Sequence, residues 1–104
     1  MAIVYLICDA GNGYFKIGVT RGSIARRMKK LQTGNPTELF LTKCFKTETP
    51  FYLEKSLHLH FQSKKVLNEW FALDNDDIKE FIPFCKKTEE VVRVLKDNPF
   101  FKAK

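Results

Sequence analysis

Two short β-prone runs open the chain, Ile3–Cys8 and Tyr14–Val19. Asp9-Ala-Gly-Asn-Gly13 supplies turn residues between them, so the pair predicts a hairpin. Alternation puts Ile3, Tyr5 and Ile7 on one face of the first run and Val4, Leu6 and Cys8 on the other. In the second, Tyr14, Lys16 and Gly18 stand opposite Phe15, Ile17 and Val19. The pattern does not fix the register, and so leaves open whether Tyr5 and Lys16 are neighbours. Ser23 predicts the N-cap of a helix through Gln32, with Ile24, Met28 and Leu31 as its buried stripe and Gly34 with Pro36 as its stop. Leu39–Phe45 reads as a third strand. Pro50 sits in the first turn of a helix that runs to about Phe61, with Leu53, Leu57 and Phe61 as its apolar stripe.

Beyond it, Gln62–Glu69 reads as a polar loop carrying Lys64 and Lys65, and Trp70, Phe71 and Leu73 return the chain to the core. Asp74 caps a short helix bearing Ile78, Phe81 and Ile82, which Pro83 and Phe84-Cys85 interrupt. Thr88–Lys96 reads as a last helix using Val91, Val92 and Leu95. Asn98-Pro99 ends it, and Phe100–Lys104 is a short tail. The order predicts one α/β domain of the α+β type, residues 1–104, with a small three-stranded antiparallel sheet flanked by helices. Its core spans about residues 3–73, and a helical extension covers about 74–104.

Composition narrows the partners. Among 104 residues, 44% are hydrophobic, ten of them Phe, which suffices for one core and leaves no room for a second. Eighteen Lys and Arg against twelve Asp and Glu give a formal charge of +6, which permits a polyanionic partner without establishing one. Cys8, Cys44 and Cys85 lie far apart with no CxxC pair, so they read as reduced thiols in an intracellular setting and offer no thiolate zinc site. No charged leader precedes an apolar core and no apolar stretch approaches 18 residues, so a soluble protein with no membrane partner is expected.

Three polar residues sit where apolar ones belong. Arg27, three after Ile24 and four before Leu31, stands on or beside the helix stripe, while its neighbour Arg26 points nearly the opposite way. Arg27 either snorkels its guanidinium to the edge or forms a rigid fork for a phosphate. Glu54, three before Leu57, is likewise on the apolar side, which calls for a salt bridge, hydration or a metal. His58 follows one turn later on the flank, and His60 lies at the stripe's other edge. A histidine beside an apolar face is more often packed than catalytic. Lys16 is unexpected inside a β run if that face is covered, and ordinary if the face is open.

Five segments, IVYLI, FKIGVT, RRMKKLQTGNP, LEKSLHLHF and NEWF, occur in an order and spacing that resembles the GIY-YIG endonuclease superfamily. The likeness is strongest to its small phage- and virus-associated branch, in which the second motif reads Lys-Ile-Gly, and it spans roughly Ile3–Leu73. The resemblance implies a three-stranded antiparallel sheet flanked by helices and a metal-dependent nuclease. Tyr5 then matches the first-motif tyrosine, Lys16-Ile17-Gly18 the second motif, Arg27 the helix arginine with Arg26 as fallback, and Glu54 the metal-binding glutamate. Asn68-Glu69-Trp70-Phe71 resembles a Gly-Glu-Trp-Phe signature and reads as mainly structural. Ile3-Val4 replaces the usual Gly-Ile, and Lys16 replaces the second tyrosine, which a lysine cannot reproduce as a phenol.

On this reading Tyr5, assisted by Lys16, activates water, Arg27 holds the scissile phosphate, Glu54 binds Mg²⁺ (with Mn²⁺ as a substitute), and His58 carries a proton. Tyrosine is a weak base at its reference pKa of about 10, so its role calls for a neighbouring cation. Nucleic acid, DNA favoured over RNA, is the implied partner. Arg21, Arg26, Lys29, Lys30, Lys64 and Lys65 are its expected phosphate contacts, together with Lys43 and Lys46. The alternative is a catalytically inactive basic module of the same fold that only binds nucleic acid.

Overall fold

The hydrophobic pattern resolves into three layers in a computed structural model of the chain, which describes residues 1–97. Strand β1 (Ala2–Asp9) and strand β2 (Phe15–Thr20) are followed by helix α1 (Ile24–Thr33), strand β3 (Leu39–Thr47) and helix α2 (Pro50–His60). A 3₁₀ turn (Gln62–Lys64), strands β4 (Lys65–Leu67) and β5 (Trp70–Phe71), and helix α3 (Asn75–Asp97) complete the order. The strands form one sheet in the order β3-β1-β2-β5-β4, every neighbouring pair antiparallel.

Two faces of this sheet are covered differently. Val4, Leu6, Phe15, Ile17 and Phe71 pack with Leu53, Leu57 and Phe61 of α2 and with Phe81 and Cys85 of α3, forming the main core. On the opposite face Tyr5, Ile7 and Leu39 pack with Ile24, Met28 and Leu31 of α1 and with Trp70. The caps follow local chemistry. The Ser23 hydroxyl accepts from the Arg26 amide at 3.3 Å, and Pro50 opens α2 at its first position. Asp74 and Asp77 exchange side-chain to amide bonds of 2.9 Å at the start of α3, a reciprocal capping box.

Two sequence expectations are corrected. The sheet has five strands, not three, because the segment expected to be a polar loop contains β4 and turns back through Asn68-Glu69 into β5. Asn68 takes a left-handed φ of 51°, which glycine and asparagine adopt with least strain. The two C-terminal helices are one, with Pro83 inside it. Ile78, Phe81, Ile82 and Cys85 form an unbroken i, i+3, i+4, i+7 stripe on the core, and this burial offsets the roughly 3 kcal/mol of an interior proline. Burial, reinforced by Glu89, pushes the Cys85 thiol up to about 12, so it packs as an inert side chain. The expected stop at Asn98-Pro99 and the tail lie outside the described residues.

Candidate functional site

Three consecutive residues of β2, Lys16-Ile17-Gly18, anchor the candidate site. Gly18 is the position opposite Tyr5 across the β1–β2 ladder, and the tyrosine ring lies directly over it. A Cβ at Gly18 would fall 2.5 Å from the Tyr5 hydroxyl oxygen and 2.6 Å from Cζ, closer than any real contact. Only glycine leaves room for the ring. Tyr5 is 1% exposed, and its hydroxyl accepts a hydrogen bond from Arg27 Nε at 3.3 Å. Helix α1 therefore turns Arg27 toward the sheet and leaves Arg26 exposed. Among the described residues no carboxylate pairs with Arg27. The tyrosine holds Nε and orients the guanidinium, whose Nη groups are the donors left for a ligand.

Ile17 carries the second connection. Its N–H donates to the Glu69 carbonyl at 3.1 Å, and His58 Nε2 lies 3.0 Å from its own carbonyl oxygen. A carbonyl only accepts, so His58 Nε2 carries the hydrogen and Nδ1 keeps the lone pair in the neutral ring. The ring also meets Phe71 edge-on, with centroids 5.0 Å apart. Strand β5 covers only part of this edge of β2, and α2 brings His58, with Glu54 one turn before it, to the part left open.

Lys16 supplies the third. It shares the Tyr5–Gly18 face, one pleat along, and pairs across the ladder with Ile7. Its ammonium lies 3.1 Å from Glu69 Oε2 and 5.6 Å from the centre of the Trp70 ring, and its side chain is 13% exposed. Lys16 thus has an acidic partner as well as a covered position.

These connections bring Glu54, His58 and Glu69 together, with one ligand atom from each within 4.8 Å of the others. Burial first, and then the charge of Glu69, raise the Glu54 carboxyl above its usual range, while His58 and Lys16 pull it the other way. Two carboxylates turned toward each other beside an imidazole are a donor set that a divalent cation fits, because a cation relieves the carboxylates' repulsion. Glu69 is the residue that sequence reading treated as structural. The signal was present in Asn68-Glu69: an asparagine able to take the left-handed position of a two-residue hairpin loop delivers the next side chain toward the edge of β2.

The remaining candidates divide. Arg26, Arg27 and Lys30 line a shallow hollow of about 180 Å³ with Thr20, Gly22 and Ser23, while Lys29 is exposed on the same helix. The Arg21 guanidinium lies 5.3 Å from the centre of the Phe51 ring. Lys64 is tied to Asp74 at 3.2 Å and also to Asp77, which raises its pKa and balances its charge. Lys65 is exposed on β4. Lys43 pairs with Leu6 and Lys46 with Ile3, so they stand on opposite faces of the sheet. His60 stacks on Phe84 and contacts Glu80, away from the β2 triplet. No described helix is long and apolar enough to cross a membrane.

Comparison with known proteins gives two matches. Residues 2–86 match the T5orf172 domain. An uncharacterized protein, R865, of Acanthamoeba polyphaga mimivirus is 31% identical over 90 residues, covering 86% of this chain and 15% of that protein. The chain thus spans about a seventh of that relative's length. No solved structure matches.

Proposed function

Because the chain belongs to the T5orf172 domain family, a phage-associated domain of the GIY-YIG/HNH-like endonuclease type, we propose that it is a metal-dependent endonuclease hydrolysing phosphodiester bonds, with DNA favoured over RNA. One observation carries the reading: the Lys16-Ile17-Gly18 triplet, some 7 Å of strand, joins a tyrosine-oriented arginine to a pair of carboxylates and an imidazole.

Hydrolysis needs an attacking water, neutralisation of charge on the phosphoryl group and support for the leaving oxygen. Arg27 holds the scissile phosphate through its Nη groups, and Tyr5, nearly buried, positions that guanidinium and orients the water. Glu54 and Glu69 would hold Mg²⁺ or Mn²⁺, since such hard cations favour carboxylate oxygens, and a cation held there would supply Lewis-acid stabilisation of charge on the phosphate oxygens. With Nε2–H held by the Ile17 carbonyl, the neutral tautomer of His58 carries its lone pair on Nδ1, the atom that accepts the proton from water. Lys16, paired with Glu69 at 3.1 Å, balances the carboxylates' charge and adds positive charge to the site.

Labelled DNA and RNA, incubated with Mg²⁺, Mn²⁺ or EDTA, test the reading. Cleavage with either cation and none in EDTA is expected. Tight, salt-sensitive binding with no cleavage under any metal would instead identify an inactive nucleic-acid-binding module.

A further inference from the structure

Phe51 is an exposed aromatic at a particular place. It is 64% exposed, stands at the second position of α2, and lies three residues before Glu54 and seven before His58. That i, i+3, i+7 spacing puts its ring on the same helix face as the carboxylate and the imidazole. Arg21, whose guanidinium approaches the ring to 5.3 Å, sits in the loop between β2 and α1. Its flanking residues, Thr20 and Gly22, line the hollow shared by Arg26, Arg27 and Lys30. The Arg21–Phe51 pair therefore spans the gap between the basic hollow and the carboxylate side of the site.

Phenyl rings and guanidinium planes are the side-chain surfaces on which unpaired bases stack. Phe51 is not part of either apolar core, and a phenyl ring has no polar atom to satisfy in solvent. Its cation-bearing neighbour favours a polyanionic strand there over an apolar partner.

We propose that Phe51 and Arg21 form a stacking platform for one unstacked base next to the scissile phosphate, so that the protein selects single-stranded or distorted nucleic acid over a perfect duplex. The proposal rests on the nucleic-acid reading above and adds a substrate class to it. A strand whose phosphate lies in the Arg27 hollow would present its neighbouring base to this pair. A base held in a continuous duplex stack could not reach the ring without unstacking.

The test uses the full chain carrying Glu54→Gln, in EDTA, with binding measured by fluorescence anisotropy. The probes are a labelled single strand, the matching duplex, and a series of the single strand with one abasic position moved along it. Phe51→Ala should weaken binding of the single strand about 5- to 150-fold, the span of one base stacked on an aromatic ring, and leave the duplex nearly unchanged. Phe51→Trp should restore it. In the Phe51-containing protein one abasic position should reproduce the loss, and in Phe51→Ala that position should become silent. Equal weakening on single strand and duplex, an abasic series with no sensitive position, or no binding of either probe would overturn the platform. Because Phe51 is exposed, circular dichroism should report an unchanged fold in each variant. Cleavage by the wild-type chain without the abasic signature would refute the platform and leave the nuclease reading standing. The abasic signature without wild-type cleavage would do the reverse.

Discussion

The two faces of the sheet are built from adjacent residues of the same strands yet serve different ends. Toward α2 and α3, Val4, Leu6, Phe15 and Ile17 meet large apolar side chains, with the His58 ring at the margin against Phe71. Toward α1 the cover is thin: Tyr5, Ile7 and Leu39 are buried, but the same face carries Lys16, Gly18 and the inward Arg27. Alternation along β2 separates the roles residue by residue, Ile17 holding the core while Lys16 and Gly18 face the chemistry. So small a domain can thus hold charged groups in fixed geometry because its main core supplies most of its apolar burial. If this division holds, substitutions in the main core should change stability, and substitutions at the site, which draws Lys16, Gly18 and Arg27 from the α1 face and Glu54 and His58 from α2, should change rate.

The largest effect should come from the carboxylate cluster. Glu54→Gln keeps the shape and removes a charge, and it should reduce single-turnover cleavage by about 10³-fold or more, the loss of several kcal/mol of charge stabilisation. Chemical denaturation should find the protein no less stable than wild type. Unchanged cleavage by the folded variant would remove Glu54 from the site.

Phe81→Ala, in the main core, should do the opposite. Truncating a fully buried phenyl ring should cost about 3–5 kcal/mol in urea unfolding. The cleavage rate per folded molecule, measured well below the melting point, should stay within about twofold of wild type, as Phe81 carries no group that the chemistry uses. A large rate loss without destabilisation would erase the distinction between core and site.

The two arginines sharpen the comparison within one helix. Arg27→Ala should lower the single-turnover rate at saturating DNA by about 10²-fold, comparable to losing one preorganised donor to the transition state. Arg26→Ala, exposed beside the same hollow, should mainly weaken binding and flatten its salt dependence. The reverse ranking would mean that the Tyr5–Arg27 contact positions nothing that reacts.

What could be read in the sequence follows the same physical division. The helix stripe Ile24–Met28–Leu31 orients Arg27 relative to Arg26 because a 3.6-residue period is local information. Caps at Ser23, Pro50 and Asp74 are legible for the same reason. The long-range pairings were not. Whether Lys16 neighbours Tyr5 depends on ladder register, and Glu69 joins Glu54 only through a two-residue hairpin whose strands, three and two residues long, are too short to show a pattern. Pro83 misled because local propensity opposes helix while the Phe81–Cys85 burial, a tertiary term, favours it.

Lys16 joins the two halves of the site, and its replacement should give a smaller effect. Lys16→Met keeps much of the apolar stem and removes the ammonium that lies over Trp70 and balances Glu69. The single-turnover rate should fall about tenfold, more than affinity does, because one partly solvent-screened charge beside the phosphate is lost. Equal rates and equal pH profiles in the two proteins would reduce Lys16 to basic surface.

The smallest expected effect is on stability alone, in the absence of any divalent cation. Burial and the facing Glu69 raise the Glu54 pKa in the folded chain above its unfolded value. The folded state then binds a proton more readily than the unfolded state. Glu54 contributes no penalty below the unfolded pKa, where both states are protonated, and becomes destabilising as pH rises through the folded pKa. Glu54→Gln has no charge to desolvate or repel. In EDTA its melting temperature should exceed that of wild type at about pH 8 and converge with it near pH 4. The gap should amount to a few degrees at most, since Glu54 is only half buried and solvent screens it. Adding Mg²⁺ or Mn²⁺ to the wild type at pH 8 should close the gap by mass action on the folded state, and should leave the Glu54→Gln protein nearly unmoved. A melting temperature for wild type that is higher in EDTA at pH 8 than that of Glu54→Gln would mean that Glu54 already has a compensating partner, and that the carboxylate pair is a structural salt-bridge network with Lys16 instead of a cation site.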